Sequence, residues 1–271
     1  MSAATHPYIT QRNAQSASAA DLAPLAFAGY AHFTAMQVRD GGIRGLDLHL
    51  ERLRNASQRL FGQSHADEEI HAALRAALEQ APADTSLMAT VYSPAGEFTV
   101  AGPEHWPELL VRTAPPSDGP QGPLSLAIAG HERVLPEIKH VGEVAKTWYL
   151  REAVAAGFDD AIFADQRGRL SEATIWNLAF WDGESVIWPR AKMLAGTTQG
   201  ILQRQLAALG VRQAVLSIDR QDLPRLAGAV VMNSWTPAVP VNRIAEVEIP
   251  PAPAFVELLR SAFEAEPRVR P

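Results

Sequence analysis

The 271-residue chain contains no cysteine. Disulfides, thiolate metal centres and a cysteine nucleophile are therefore excluded. Long apolar runs are missing as well: no stretch approaches the ~20 apolar residues that a membrane-spanning helix needs. Residues 1–25 are polar and rich in Ala, Ser and Gln, without a basic start and apolar core, so a cytoplasmic location and no membrane partner are expected. Dense basic blocks are absent and the formal net charge is −6. Nucleic-acid binding, which needs a basic face, is not expected. Neither His-Glu-x-x-His nor Gly-x-Ser-x-Gly occurs, which leaves metal-dependent and serine hydrolases without their usual signatures and makes no metal the expectation. Lysine is scarce: of 24 basic residues only Lys139, Lys146 and Lys192 are lysines. Arginine replaces lysine in most surface roles, yet its guanidinium stays protonated and cannot form a Schiff base. Each remaining lysine is thus a candidate for amine chemistry.

What is present is ordinary globular material, 47% hydrophobic, long enough for two domains. A weakly patterned arm over 1–24 precedes a strand from Phe27 to Arg39 and the turn Asp40-Gly41-Gly42. Leu46, Leu50, Leu53 and Leu60 predict a helix, with Asp47 as its cap and Gly62 at its end. Ser64 to Asp67 matches a capping box for a second helix running to about Gln80. Strands are expected at Leu87–Tyr92, Glu97–Val100 and Leu109–Thr113. Prolines and glycines crowd the segment from Pro115 to Pro123, the strongest linker signal in the chain. Beyond it the pattern predicts strands at Leu124–Ala129 and Ala161–Ala164 separated by a helix over Glu143–Ala156. A hairpin about Asp182-Gly183, a helix over Thr198–Leu209, strands at Ala214–Ile218 and Ala229–Met232, and a last helix near Pro253–Ala265 follow.

Chemistry concentrates in a few places. Gly168 to Asn177 sets one carboxylate, Glu172, and one carboxamide, Asn177, among apolar residues, making Glu172 the best candidate for a buried working acid. Read alone, Asn177 is an amide that satisfies loop backbone. Lys139 follows the apolar, rigid Leu135-Pro136-Glu137-Ile138. Gly196-Thr197-Thr198 opens a helix, where free N–H groups and the dipole bind anions. His49-Leu50-Glu51-Arg52-Leu53 and Asn233-Ser234-Trp235 complete the set.

In their order along the chain these residues resemble the class IV aminotransferases, the fold-type IV enzymes that use pyridoxal 5'-phosphate, whose branches include branched-chain and D-amino-acid aminotransferases and aminodeoxychorismate lyases. The resemblance spans Phe33 to Val241. It implies an α+β fold with a small N-terminal α/β domain, here 1–118, and a larger C-terminal pseudo-barrel domain, 119–271. It implies that Lys139 bonds the cofactor and moves the substrate proton, and that Glu172 holds the ring nitrogen. Arg52, Asn177, Gly196, Thr197, Thr198, Ser234 and Trp235 become cofactor contacts, and His32, Phe33 and Gln37 lie where substrate contacts are found. An amino acid and a 2-keto acid would be the partners, and a homodimer the assembly.

Three positions depart from the family pattern. Val144 stands where many relatives carry tyrosine, Gln199 where arginine is frequent, and Phe33-Thr34-Ala35 lacks the second threonine of the lyase branch. Amino-group transfer is the leading expectation. The alternatives are a lyase that eliminates pyruvate from an amino-chorismate-like substrate, and a non-catalytic member that keeps the fold and binds a metabolite.

Overall fold

The computed structural model describes residues 8–27, 29–96 and 106–271. The chain divides into two compact units, one of Met1–Ser117 with Ile138–Glu143 and Pro267–Pro271, the other of Asp118–Glu137 with Val144–Glu266. Among the described residues no helix is long and apolar enough to cross a membrane.

The first unit contains β1 (Thr10–Arg12), β2 (Gln15–Ser16), α1 (Ala19–Phe27), β3 (Ala31–Arg39), β4 (Gly42–Arg44), α2 (Leu46–Phe61), α3 (Asp67–Leu78), β5 (Thr85–Tyr92) and β6 (Glu108–Ala114). Its antiparallel sheet runs from the late strand Arg268–Val269 through β4, β3, β5, β6 and β1 to β2. α2 packs on β3 and α3 on β6. β3 alternates as a half-covered strand should: His32, Thr34, Met36 and Val38 are buried, while Phe33, Ala35, Gln37 and Arg39 are less so. α2 answers with Leu46, His49, Leu50, Leu53, Ser57 and Leu60. Segment Ile138–Glu143 joins the same unit, where Phe33 N–H donates to Lys139 O at 2.9 Å and Val141 N–H to Ala31 O at 2.8 Å. It takes the stretch of β3 edge that β4, paired only with Val38 and Arg39, leaves open.

The second unit contains β7 (Leu124–Gly130), α4 (Val144–Ala155), β8 (Asp160–Ala164), β9 (Leu170–Ala173), β10 (Asn177–Trp181), β11 (Val186–Pro189), α5 (Thr197–Ala208), β12 (Gln213–Leu216), β13 (Gly228–Met232), β14 (Val239–Ile244), β15 (Val247–Glu248) and α6 (Pro253–Glu264). The sheet order is β12-β11-β10-β13-β14-β7-β8-β9, with β15 on β14. Only Thr174, Ile175 and Trp176 separate β9 from β10, although the two lie at opposite ends of the β10-to-β9 run. So short a connection forces the sheet to curl into a half-barrel. Alternation then divides the core. Leu178, Phe180 and Val231 face a cluster with Leu126, Ile162 and Ile244, whereas Ala179, Val230 and Met232 face Leu202 and Leu206 of α5 and Leu259 of α6.

Several expectations differ from what is found. Within the arm over 1–24, residues 8–24 hold β1, β2 and most of α1, because a three-residue strand paired to distant β6 carries no local period. Phe27 ends α1, and the strand begins at Ala31. Gly45, left-handed at φ 64°, precedes α2, so Asp47 lies in the first turn and is not the cap. α3 starts at Asp67, where Glu69 reaches back to the Ala66 N–H at 3.2 Å, so the cap position falls to Ala66 and not to Ser64. The strand expected at Glu97–Val100 lies outside the described residues.

Two buried imidazoles sit between β3 and α2. His32 Nε2 bonds Ser57 Oγ at 2.8 Å, and His49 Nδ1 bonds Thr34 Oγ1 at 2.6 Å. Burial pushes both down to about 3, with the Arg52 charge adding to the effect on His49. An unfolded chain takes up these protons near pH 6.5 while the folded one refuses them to about pH 3. Stability is therefore full above that upper value and falls with acidification, by up to about 1.4 kcal/mol per pH unit for each imidazole. Urea denaturation at pH 7.5 and 5 should show this loss, and His32→Gln should remove a large part of it; an identical pH dependence in the variant would contradict the assignment.

Candidate functional site

The second unit brings together most of the residues singled out by sequence. Glu172, third in β9, is 3% exposed. Its Oε1 accepts from Arg133 Nη1 at 3.2 Å and from the Leu194 N–H at 3.3 Å. Glu172 Oε2 makes no hydrogen bond among the described residues. Arg133 is as buried as its partner, with side-chain exposures of 1% and 4%, and also donates to Pro136 O at 2.9 Å. That second bond spans Leu135, held in the left-handed region at φ 50°, a conformation unusual for a branched side chain.

Asn177 begins β10 and donates to Leu194 O at 2.8 Å. Glu172 and Asn177 thus grip the same residue, Leu194, by its N–H and its carbonyl. Gly196 follows two residues later as the N-cap of α5. A Cβ on it would stand 1.9 Å from Asn177 Oδ1, so no side chain fits there. The result is a fixed approach to the first turn of α5, where backbone N–H groups lack helical acceptors and carry the positive end of the dipole.

Thr197 and Thr198 are both buried. Thr198 Oγ1 donates to Asn233 O at 2.8 Å, tying the helix to the Asn233-Ser234-Trp235 loop, while Thr197 Oγ1 and Ser234 Oγ make no hydrogen bond among the described residues. Asn233 Oδ1 accepts from the Trp235 N–H at 2.8 Å and shapes the loop. Gln199, in the same turn, is buried and its Oε1 has no partner among the described residues.

The first unit holds the rest. Lys139, half-buried, places Nζ 4.9 Å above the Phe33 ring. Arg52 donates to Thr34 Oγ1 at 3.5 Å, and the same hydroxyl is hydrogen-bonded to His49 Nδ1 at 2.6 Å. Gln37 donates to Ser86 Oγ at 2.7 Å and accepts from Arg39 and from the Ser117 N–H, each at 3.0 Å. Phe33 and Gln37 share the less covered face of β3, whereas His32 points to the other face and is fully buried against α2. The three are not brought together. Lys146 lies inside α4.

Arg133, Thr34 and the Leu194 backbone were not anticipated. Nothing local marks an arginine as buried, since arginine is rarely so, and a backbone N–H carries no sequence signal at all.

The family model for class IV amino-transferases matches residues 31–244. The chain belongs to the class IV aminotransferase family. No curated protein matches the sequence. Among solved structures, the branched-chain aminotransferase of Thermoproteus uzoniensis with norvaline is similar at 16% identity and TM-score 0.82, over 94% of this chain and 93% of that one. The putative 4-amino-4-deoxychorismate lyase of Legionella pneumophila is similar at 19% and 0.76, over 90% and 92%. The branched-chain aminotransferase of Thermobaculum terrenum in its pyridoxal phosphate form is similar at 17% and 0.81, over 95% and 92%. At these identities the likeness is one of fold, and fold alone assigns no substrate.

Within this member of the class IV aminotransferase family the Arg133–Glu172 pair offers a direct test. Removing one partner strands the other in a dry interior, so Arg133→Ala should lower stability by about 3 to 5 kcal/mol, while Arg133→Met with Glu172→Leu should recover most of that loss. Urea unfolding of the single and double variants checks the cycle, and equal losses in both would show that the pair is not what the region depends on.

Proposed function

We propose that this class IV family member is a pyridoxal 5'-phosphate-dependent aminotransferase that moves an amino group between an amino acid and a 2-keto acid. The observation that carries the reading is the buried Glu172 with one oxygen committed to Arg133 and Leu194 and the other without a hydrogen bond among the described residues, fixed through Leu194 and Asn177 to the open first turn of α5. A carboxylate with a spare acceptor and a helix start with spare donors suit the two ends of a phosphorylated pyridine. Family membership and a similar fold solved in the pyridoxal phosphate form support the same cofactor.

When bound, pyridoxal phosphate supplies an electron-withdrawing ring and an aldehyde that condenses with amines. On this reading Glu172 Oε2 would hold the cofactor's ring nitrogen by a hydrogen bond, with Arg133 balancing the buried negative charge. Thr197, Ser234 and the first N–H groups of α5 hold the phosphate, and Trp235 flanks the loop. Thr198 and Asn177 act by bracing backbone. Arg52, bonded to Thr34, is a further proposed cofactor contact. Lys139 is the amine that would hold the cofactor by its aldehyde and would carry the α-proton as general base and acid. Phe33 and Gln37 contact substrate, and the buried His32 supports their strand. A homodimer and a cytoplasmic location belong to the same proposal.

Purified protein mixed with pyridoxal phosphate should gain a visible absorbance band that Lys139→Ala abolishes and Lys146→Ala retains. It should also convert an amino acid only when a keto acid is supplied. Pyruvate release without an acceptor would replace the transferase reading with the lyase one, and no band in the native protein would remove the cofactor.

A further inference from the structure

The proposed chemistry leaves buried acids unused, among them Asp160. Asp160 opens β8 and is 4% exposed. Its Oδ1 accepts from the Ala161 N–H at 2.6 Å and from the Thr174 hydroxyl at 2.7 Å, and its Oδ2 from the Trp176 indole N–H at 2.9 Å. Burial raises its carboxyl above the usual range against the opposing pull of these donors. Two of the three donors belong to Thr174-Ile175-Trp176, the short connection that follows Glu172 and precedes Asn177.

That connection has neighbours on its far side. Asn233 Nδ2 donates to Ile175 O at 3.5 Å, and Trp176 meets Trp235 edge to face with ring centroids 6.1 Å apart. Asn233 is in turn the residue that Thr198 of α5 holds. One carboxylate therefore anchors the turn that bears the ring-holding acid on one flank and touches the phosphate-holding loop on the other.

We propose that Asp160 is a positioning residue that sets the spacing between Glu172 and the Ser234–Trp235 loop, so that a pyridine ring and its phosphate engage both at once. The inference rests on the reading of the chain as a pyridoxal phosphate enzyme. Its physical basis is that two joined groups bind better than either alone only where geometry allows simultaneous engagement. A small shift of the turn leaves each half-site usable separately and forfeits the gain from the linkage.

Asp160→Asn keeps the size but turns a donor toward the Trp176 N–H or the Thr174 hydroxyl. Trp176→Phe removes the indole N–H together with part of the ring volume and keeps an aromatic ring near Trp235. Cofactor-free protein is titrated with pyridoxal 5'-phosphate and, separately, with pyridoxal, followed by absorbance and tryptophan fluorescence. Asp160→Asn should weaken the phosphorylated ligand about tenfold or more and pyridoxal by less than about threefold, with Trp176→Phe showing a smaller loss of the same selectivity. Equal weakening of both ligands, or of neither, would reduce Asp160 to a structural acid and overturn the proposal. If Asp160→Asn does not fold by circular dichroism, Trp176→Phe decides: selective loss supports the proposal, and its absence overturns it. A native protein that binds no pyridoxal phosphate sinks the functional reading and this inference together, whereas native binding with Asp160→Asn unchanged sinks the inference alone.

Discussion

A carboxylate taken out of water loses hydration worth several kcal/mol and must recover it from fixed partners. Glu172 does so through the Arg133 guanidinium and the Leu194 N–H, both converging on one oxygen. That asymmetry organises the second unit. The satisfied oxygen anchors the acid, and the other has no hydrogen bond among the described residues. Because the Leu194 carbonyl is taken by Asn177, the turn leading to α5 is clamped from both sides. The absence of a side chain at Gly196 lets Asn177 come close enough to do it.

Sheet curvature and site geometry have a common origin. β9 leads into β10 through three residues while the hydrogen-bonded path between them runs through β13, β14, β7 and β8. Closing that path with so short a turn brings the start of β10 beside the end of β9, and with it Asn177 beside Glu172. Asp160, entering from β8, fastens the turn by Thr174 and Trp176. An apolar core on the concave side, including Leu178, Phe180 and Val231, keeps the curl from opening. Covering α5 and α6 pack on the opposite face through Leu202 and Leu259.

Much of this was legible in sequence where local physics decides. The leucine spacing of α2, the left-handed Gly62 at its end and the hairpin about Gly183 leave marks within a few residues of where they act. Glu172 stood out because it is an acid among apolar neighbours. What escaped depends on distance in the chain. β1 exists because it pairs with β6, and the edge segment carrying Lys139 pairs with β3. Arg133 became identifiable only once its buried partner was visible. The hydroxyl of Thr198, expected among phosphate donors, instead braces the Asn233 carbonyl, a distinction between two acceptors that residue type cannot make.

Neither unit is a continuous piece of chain. The polypeptide passes from one to the other after Ser117, Glu137, Glu143 and Glu266, and the first sheet receives an edge strand from Arg268–Val269. During synthesis on a ribosome, the N-terminal sheet therefore stays unfinished until nearly the whole second unit has emerged. A truncated gene encoding only the first 117 residues would leave both β3 and β4 with unpaired edges, an invitation to intermolecular strand addition.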